Sequence, residues 1–110
     1  MMGRRRLGEL EQTLLYAVMG LQDEPDGASG PTIGRLVARQ TGRIISPGAI
    51  YTALTRLEHR GFVSSELGDP TPERGGKRKR QYRMRAAGEA ALRAAETGLA
   101  RMAKLARARS

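Results

Sequence analysis

Apolar residues recur at Leu7, Leu10, Leu14, Val18 and Leu21. These steps of three and four place them on one face of an amphipathic helix. Glu9, Glu11 and Gln12 take the other side, with the acids near the N-terminus, where the helix dipole favours negative charge. QDEPDGASGP, residues 22–31, puts two prolines and two glycines among polar residues and reads as a loop. Pro31 suits a first helical position. Ile33, Leu36, Val37 and Gln40 follow as the inner face of a short second helix, which Gly42 closes after Thr41. Ser46 and Pro47 form the cap and first-turn pair of a third helix that stops at Gly61. Its apolar face is Ile50, Ala53, Leu54 and Leu57, leaving Gly48, Tyr51, Thr52, Thr55, Arg56 and His59 outward.

The pattern then changes period. FVSSEL, residues 62–67, reads as a strand, and QYRMR, residues 81–85, alternates polar with apolar as a second. Between them lie the thirteen residues 68–80, longer than a hairpin needs and therefore expected to carry a function or to be disordered. The Ala-rich remainder is strongly helix-forming. Its stripe of Leu92, Ala95, Leu99, Met102 and Ala106 is a short heptad-like seam. The expected fold is mainly α with a small β-hairpin: a winged helix-turn-helix over residues 1–85, with the wing loop at about 68–80, then a C-terminal dimerisation helix over 86–110.

Charge turns this architecture towards polyanions. The net charge is +9, yet residues 1–30 are acidic at −2, while residues 31–60, 61–85 and 86–110 carry +4, +4 and +3. A compositional drift would not spare one end; a surface for nucleic acid would. The alternative is a merely solubilising surface. With no Cys and a single His, thiolate sites, disulfides and paired-His metal ligation are excluded, and neither a metal nor a cofactor is expected. RGGKRKR, residues 74–80, superficially resembles a phosphate loop, but Thr71 and Arg78 occupy the places of its first Gly and its hydroxyl residue. No arrangement proposes an enzyme. No apolar run is long enough to span a membrane, so a cytoplasmic protein is expected.

Three stretches carry a family resemblance: GAIYTALTRLEHRGFV (48–63), LGDPTPERGGKRKRQYRM (67–84) and AAGEAAL (86–92). With LGELEQTLLYAVMGL (7–21), they make the chain similar, over about residues 7–95, to PadR-type bacterial transcriptional regulators. The resemblance implies a homodimeric winged-helix regulator, usually a repressor of nearby genes, of the short type with one C-terminal helix. Ser29-Gly30 stands where the family usually has Tyr-Gly or His-Gly, and Arg85 where a Thr cap is common. The drug pocket that some short members build between tryptophans is not implied, because this chain has no Trp.

Candidate contacts to double-stranded DNA follow. Gly76 with Gly75 lets the wing backbone approach closely. Arg74, Lys77, Arg78, Lys79, Arg80 and Arg83 supply charge to a phosphate wall or a narrow minor groove; the other reading is a solvated basic loop. On the third helix, Ser46, Gly48 and Tyr51 suit phosphate contact, and Thr52, Thr55 and Arg56 suit base edges. Tyr51 has a core reading too, and the resemblance implies the phosphate one. Thr32 and Arg35 are further phosphate candidates. The C-terminal stripe either packs on its own domain or pairs with a second chain. The second reading makes Leu7, Leu10, Leu14, Leu92, Leu99, Met102 and Ala106 the dimer interface. A small-molecule effector is compatible with an apolar dimer centre. The rival readings are a nucleoid-like or RNA-binding protein without base preference, and a winged helix that binds protein.

Overall fold

The computed structural model describes residues 6–68 and 79–109. Four helices and one hairpin follow in the order α1 (Glu9–Leu21), α2 (Gly30–Thr41), α3 (Pro47–His59), β1 (Val63–Leu67), β2 (Arg80–Met84) and α4 (Ala86–Ala108). This is a winged helix-turn-helix with a long C-terminal helix. Local chemistry sets the boundaries. Glu11 accepts the Gly8 amide at 2.8 Å ahead of α1. Ser29 and Ser46 cap α2 and α3 by accepting the amides of Thr32 and Ala49. At the end of α3, Gly61 takes φ of 80°. Its amide donates to the Glu58 carbonyl, and the Phe62 amide donates to the Leu57 carbonyl at 2.9 Å. That pair of bonds, with a left-handed glycine, stops a helix and starts a strand within two residues.

α1 is the centre of the domain, touching α2, α3, β2 and α4. Its buried arc is accordingly wider than the stripe in the sequence. Leu14, Leu15, Ala17 and Val18 are buried, whereas Leu7, Leu10 and Leu21 are only half-buried at its margin. All four apolar residues expected of α3 are buried beside Ile33 and Val37 of α2. Arg60 joins α3 to α1 through Glu11 at 3.3 Å and lies over the Phe62 ring at 4.7 Å.

The hairpin is antiparallel, with Val63 opposite Met84 and Leu67 opposite Arg80. β1 starts one residue later than expected, and β2 lies one residue earlier at both ends. Arg85 leaves β2 to become the N-cap of α4, although its amide still donates to the Phe62 carbonyl at 3.0 Å. The α1–α2 loop lies along the outer edge of β2. The Tyr82 amide donates to the Ala28 carbonyl at 2.8 Å, and the Met84 amide to the Gln22 side-chain oxygen at 2.7 Å. The lengthened acidic loop thus covers an edge that would otherwise be open to pairing. Gly27 is required there. Its φ is +68°, and a Cβ would sit 2.1 Å from the Gln81 side-chain oxygen.

α4 starts inside the domain and leaves it. Gly88 and Leu92 are its only buried residues among those described. Twenty-three residues at about 1.5 Å per residue run on the order of 34 Å, and the molecule is 57 Å along its longest axis. Two of the residues expected at the interface lie in the core instead. Leu14 and Leu92 are 0% and 2% exposed within the single chain; they fill its own core, because the first two turns of α4 close over α1. Leu99 and Met102 remain exposed at 65% and 63%.

Candidate nucleic-acid interface

The outward side of α3 is polar and open. Ser46 accepts the Ala49 amide at 3.1 Å, and its hydroxyl proton stays available for a phosphate. Gly48 has nothing within 4 Å of where a Cβ would stand, so a backbone could lie against the first turn of α3. Tyr51 is 61% exposed, which removes its core reading. Thr52 and Arg56 are exposed and Thr55 half-exposed, one helical turn further on. None of these three side chains has a hydrogen bond or ion pair among the described residues. This face of hydroxyls and one long cation is chemically suited to phosphates and base edges.

The neighbouring candidates divide. Arg35 is exposed on α2 and takes no partner among the described residues. Thr32 is corrected: it is 7% exposed, and its hydroxyl is occupied in the α2 cap. That hydroxyl donates to the Gly27 carbonyl at 2.8 Å and accepts the Ser29 amide at 2.8 Å. It holds the start of the helix and has nothing left for a phosphate.

In the hairpin, period-two alternation separates the cations. Arg80 lies on the face turned to α3, where its Nη1 donates to the Ser65 hydroxyl at 3.1 Å. Ser65 in turn donates to the Glu58 carboxylate of α3 at 2.8 Å. This chain sets the wing base against α3. Arg83, opposite Ser64, lies on the other face. It pairs with Asp23 at 2.8 Å and donates to the Gln22 carbonyl at 3.0 Å, so it serves the acidic loop, apart from the α3 face. Lys79 stands at the mouth of the hairpin, its carbonyl accepting the Gly68 amide at 2.7 Å. Arg74, Gly76, Lys77 and Arg78 lie outside the described residues.

Along the exposed part of α4, Leu99 and Met102 are joined by Leu105, 46% exposed, while Ala106 sits beside them. Tyr16 and Met19 of α1 add 40% and 41% exposed side chains. Leu105 follows Leu99 and Met102 at a spacing of three, a signal present in the sequence. Tyr16 and Met19 lie outside the inner stripe of the first helix, in keeping with their exposure. The Tyr16 hydroxyl donates to Glu96 of α4 at 2.5 Å. That bond, then burial and the carboxylate's charge, hold the phenol up at about 12.

The model of the PadR-like transcriptional regulator family matches residues 30–94, from the start of α2 into α4. The chain belongs to this family. Solved structures of PadR members share its fold. A PadR-like transcription factor of Bacteroides fragilis is 23% identical with a TM-score of 0.72, over 92% of this chain and 89% of that one. A PadR family regulator of Eggerthella lenta is 23% identical with a TM-score of 0.67, over 87% and 80%. Bacillus subtilis PadR, solved in complex with operator DNA, is 19% identical with a TM-score of 0.61, over 76% of this chain and 45% of its own. Among curated protein sequences, none matches significantly. No helix among the described residues is long and apolar enough to cross a membrane.

Proposed function

We propose that the chain is a cytoplasmic, homodimeric repressor that binds double-stranded DNA at a roughly palindromic operator. The observation that carries this is the outward face of α3. Thr52, Thr55 and Arg56 stand there without partners among the described residues, beside the exposed Tyr51 and the Ser46 cap. Family membership and the operator complex of Bacillus subtilis PadR support it. In this reading, Thr52, Thr55 and Arg56 read bases; Ser46, Gly48, Tyr51 and Arg35 set register on phosphates; and the wing cations flank the site. Residues 1–85 form the reading domain and 86–110 the dimerisation helix. Leu99, Met102 and Leu105 make the central contact, because an exposed apolar row on a helix that has left its own core gains most by pairing with a second copy.

If each chain neutralises about four phosphates, log affinity falls with log salt at a slope near −7. The deciding experiment incubates the protein with fragmented DNA of its source genome and sequences what stays bound at moderate salt. A few peaks that share a short inverted repeat are expected. Even coverage would replace this reading with non-specific, nucleoid-like binding.

A further inference from the structure

Past Leu92, no described residue of α4 is buried, and past Glu96, which holds the Tyr16 hydroxyl, the helix has left its own domain. Residues 97–110 carry four cations and no acid. Arg101, Lys104 and Arg107 are exposed there, and none has a hydrogen bond or ion pair among the described residues. Nearer the domain, cations are matched: Arg93 reaches Glu89 at 3.5 Å on the same helix, and Arg60 reaches Glu11 at 3.3 Å. The helix dipole favours a cation only in the last turn, which holds Arg107 alone of the three. Nothing within the chain uses the charge of Arg101 and Lys104. At 3.6 residues per turn, Lys104 lies roughly 150° round α4 from the row of Leu99 and Met102, with Arg101 and Arg107 about 60° to either side of it. A second copy seated on the apolar row therefore leaves these cations outside.

We propose that this outer face of α4 is a second surface for duplex DNA, separate from α3 and the wing, so that one dimer holds two DNA segments. Neighbouring cations at steps of three repel one another, and a polyanion turns that repulsion into attraction. Each strand of a duplex offers a phosphate about every 3.4 Å along its axis, so the roughly 9 Å of helix from Arg101 to Arg107 meets several. A lipid surface would take the apolar row, which the proposed dimer covers. Holding two segments at once rests on the reading of α3 as the first duplex site and of the apolar row as the dimer contact.

One genomic duplex, biotinylated, is held on beads with the full chain, and a fluorescent duplex is then offered at moderate salt. Wild type should stay on the beads and capture the fluorescent duplex. Arg101→Gln, Lys104→Gln and Arg107→Gln, combined in one chain, should stay on the beads yet capture about tenfold less. Gln keeps the helix propensity of the residues it replaces, so circular dichroism and dimeric sedimentation should be unchanged. Capture equal to wild type by this variant, or no capture by bead-bound wild type, would overturn the inference. A chain carrying Thr52→Ala and Arg56→Ala separates the two surfaces, and it should be held more weakly on the beads. If its retention is unchanged while the α4 variant loses retention, the reading of α3 fails and the α4 surface stands. If wild type binds no duplex, both fall. Phosphatidylglycerol vesicles that pellet wild type but not the α4 variant, with duplex capture the same in both, would give the face to anionic lipid instead.

Discussion

Gly88 fixes where α4 leaves the domain, and replacing it tests that packing directly. A Cβ at this position would lie 2.3 Å from the Phe62 carbonyl oxygen and 3.1 Å from the Met84 methyl, where ordinary contact begins at 3.4 Å. The methionine can move. The carbonyl cannot, because it belongs to the turn after α3 and already accepts the Arg85 amide at 3.0 Å. Gly88→Ala therefore has to displace the first turn of α4 by about 1 Å and stretch that bond. Overpacking of this kind costs roughly 3 kcal/mol, and the better helix propensity of Ala returns about 1 kcal/mol. A net loss of about 2 kcal/mol should lower Tm by on the order of 10 °C. Gly98 provides the control on the same helix: nothing lies within 4 Å of its would-be Cβ, so Gly98→Ala should raise Tm slightly. Melting is followed by circular dichroism at one protomer concentration, since the Tm of a self-associating chain depends on it. If both variants shift Tm upward together, the close approach of α4 to the Phe62 carbonyl does not exist.

Four further outcomes follow from the same geometry. In a spectrophotometric titration, Tyr16 should ionise at about 12 against an ordinary 10.0, and Glu96→Gln should bring it back towards the ordinary value. Because the unfolded phenol loses its proton first, the stability this contact gives is present below pH 10.0 and is lost as pH rises through about 12. Met102→Lys should shift the sedimentation of the chain from dimer to monomer, and an unchanged dimer would exclude the α4 stripe as its contact. Thr52→Ala should change the ranking of duplex sequences with little change in salt slope, whereas Arg35→Ala should weaken all duplexes and make the slope shallower by about one; identical effects on both counts would erase the division between reader and anchor. Ser65→Ala removes the link between Arg80 and Glu58 and should cost about 1 kcal/mol in urea unfolding, an effect that prior removal of Glu58 should largely abolish in a double-mutant cycle.

Elements whose cause is local were legible in the sequence. Ser46-Pro47, Gly42 and Gly61 act within one helical turn, so the limits of α3 and the end of α2 could be read directly, as could the buried face of Ile50, Ala53, Leu54 and Leu57. The outward hydroxyls of α3 followed from the same periodicity. What depends on who packs against whom was not legible. Leu15 and Ala17 are buried because four elements surround α1, which no stripe on a single helix announces. Thr32 looked like a free hydroxyl at a helix start, yet a cap formed across Gly27 and Ser29 consumes it. Arg80 and Arg83 are both cations of β2, but alternation sends one towards α3 and the other to Asp23 of the loop. Leu92 and Leu99 share a heptad stripe, and only the point at which α4 leaves the core buries the first and exposes the second. Sequence by itself determined the elements and the charge they carry, because these arise between near neighbours along the chain. Tertiary structure decided which of those groups remain available to a partner, because availability is set by residues distant in sequence that fold against them.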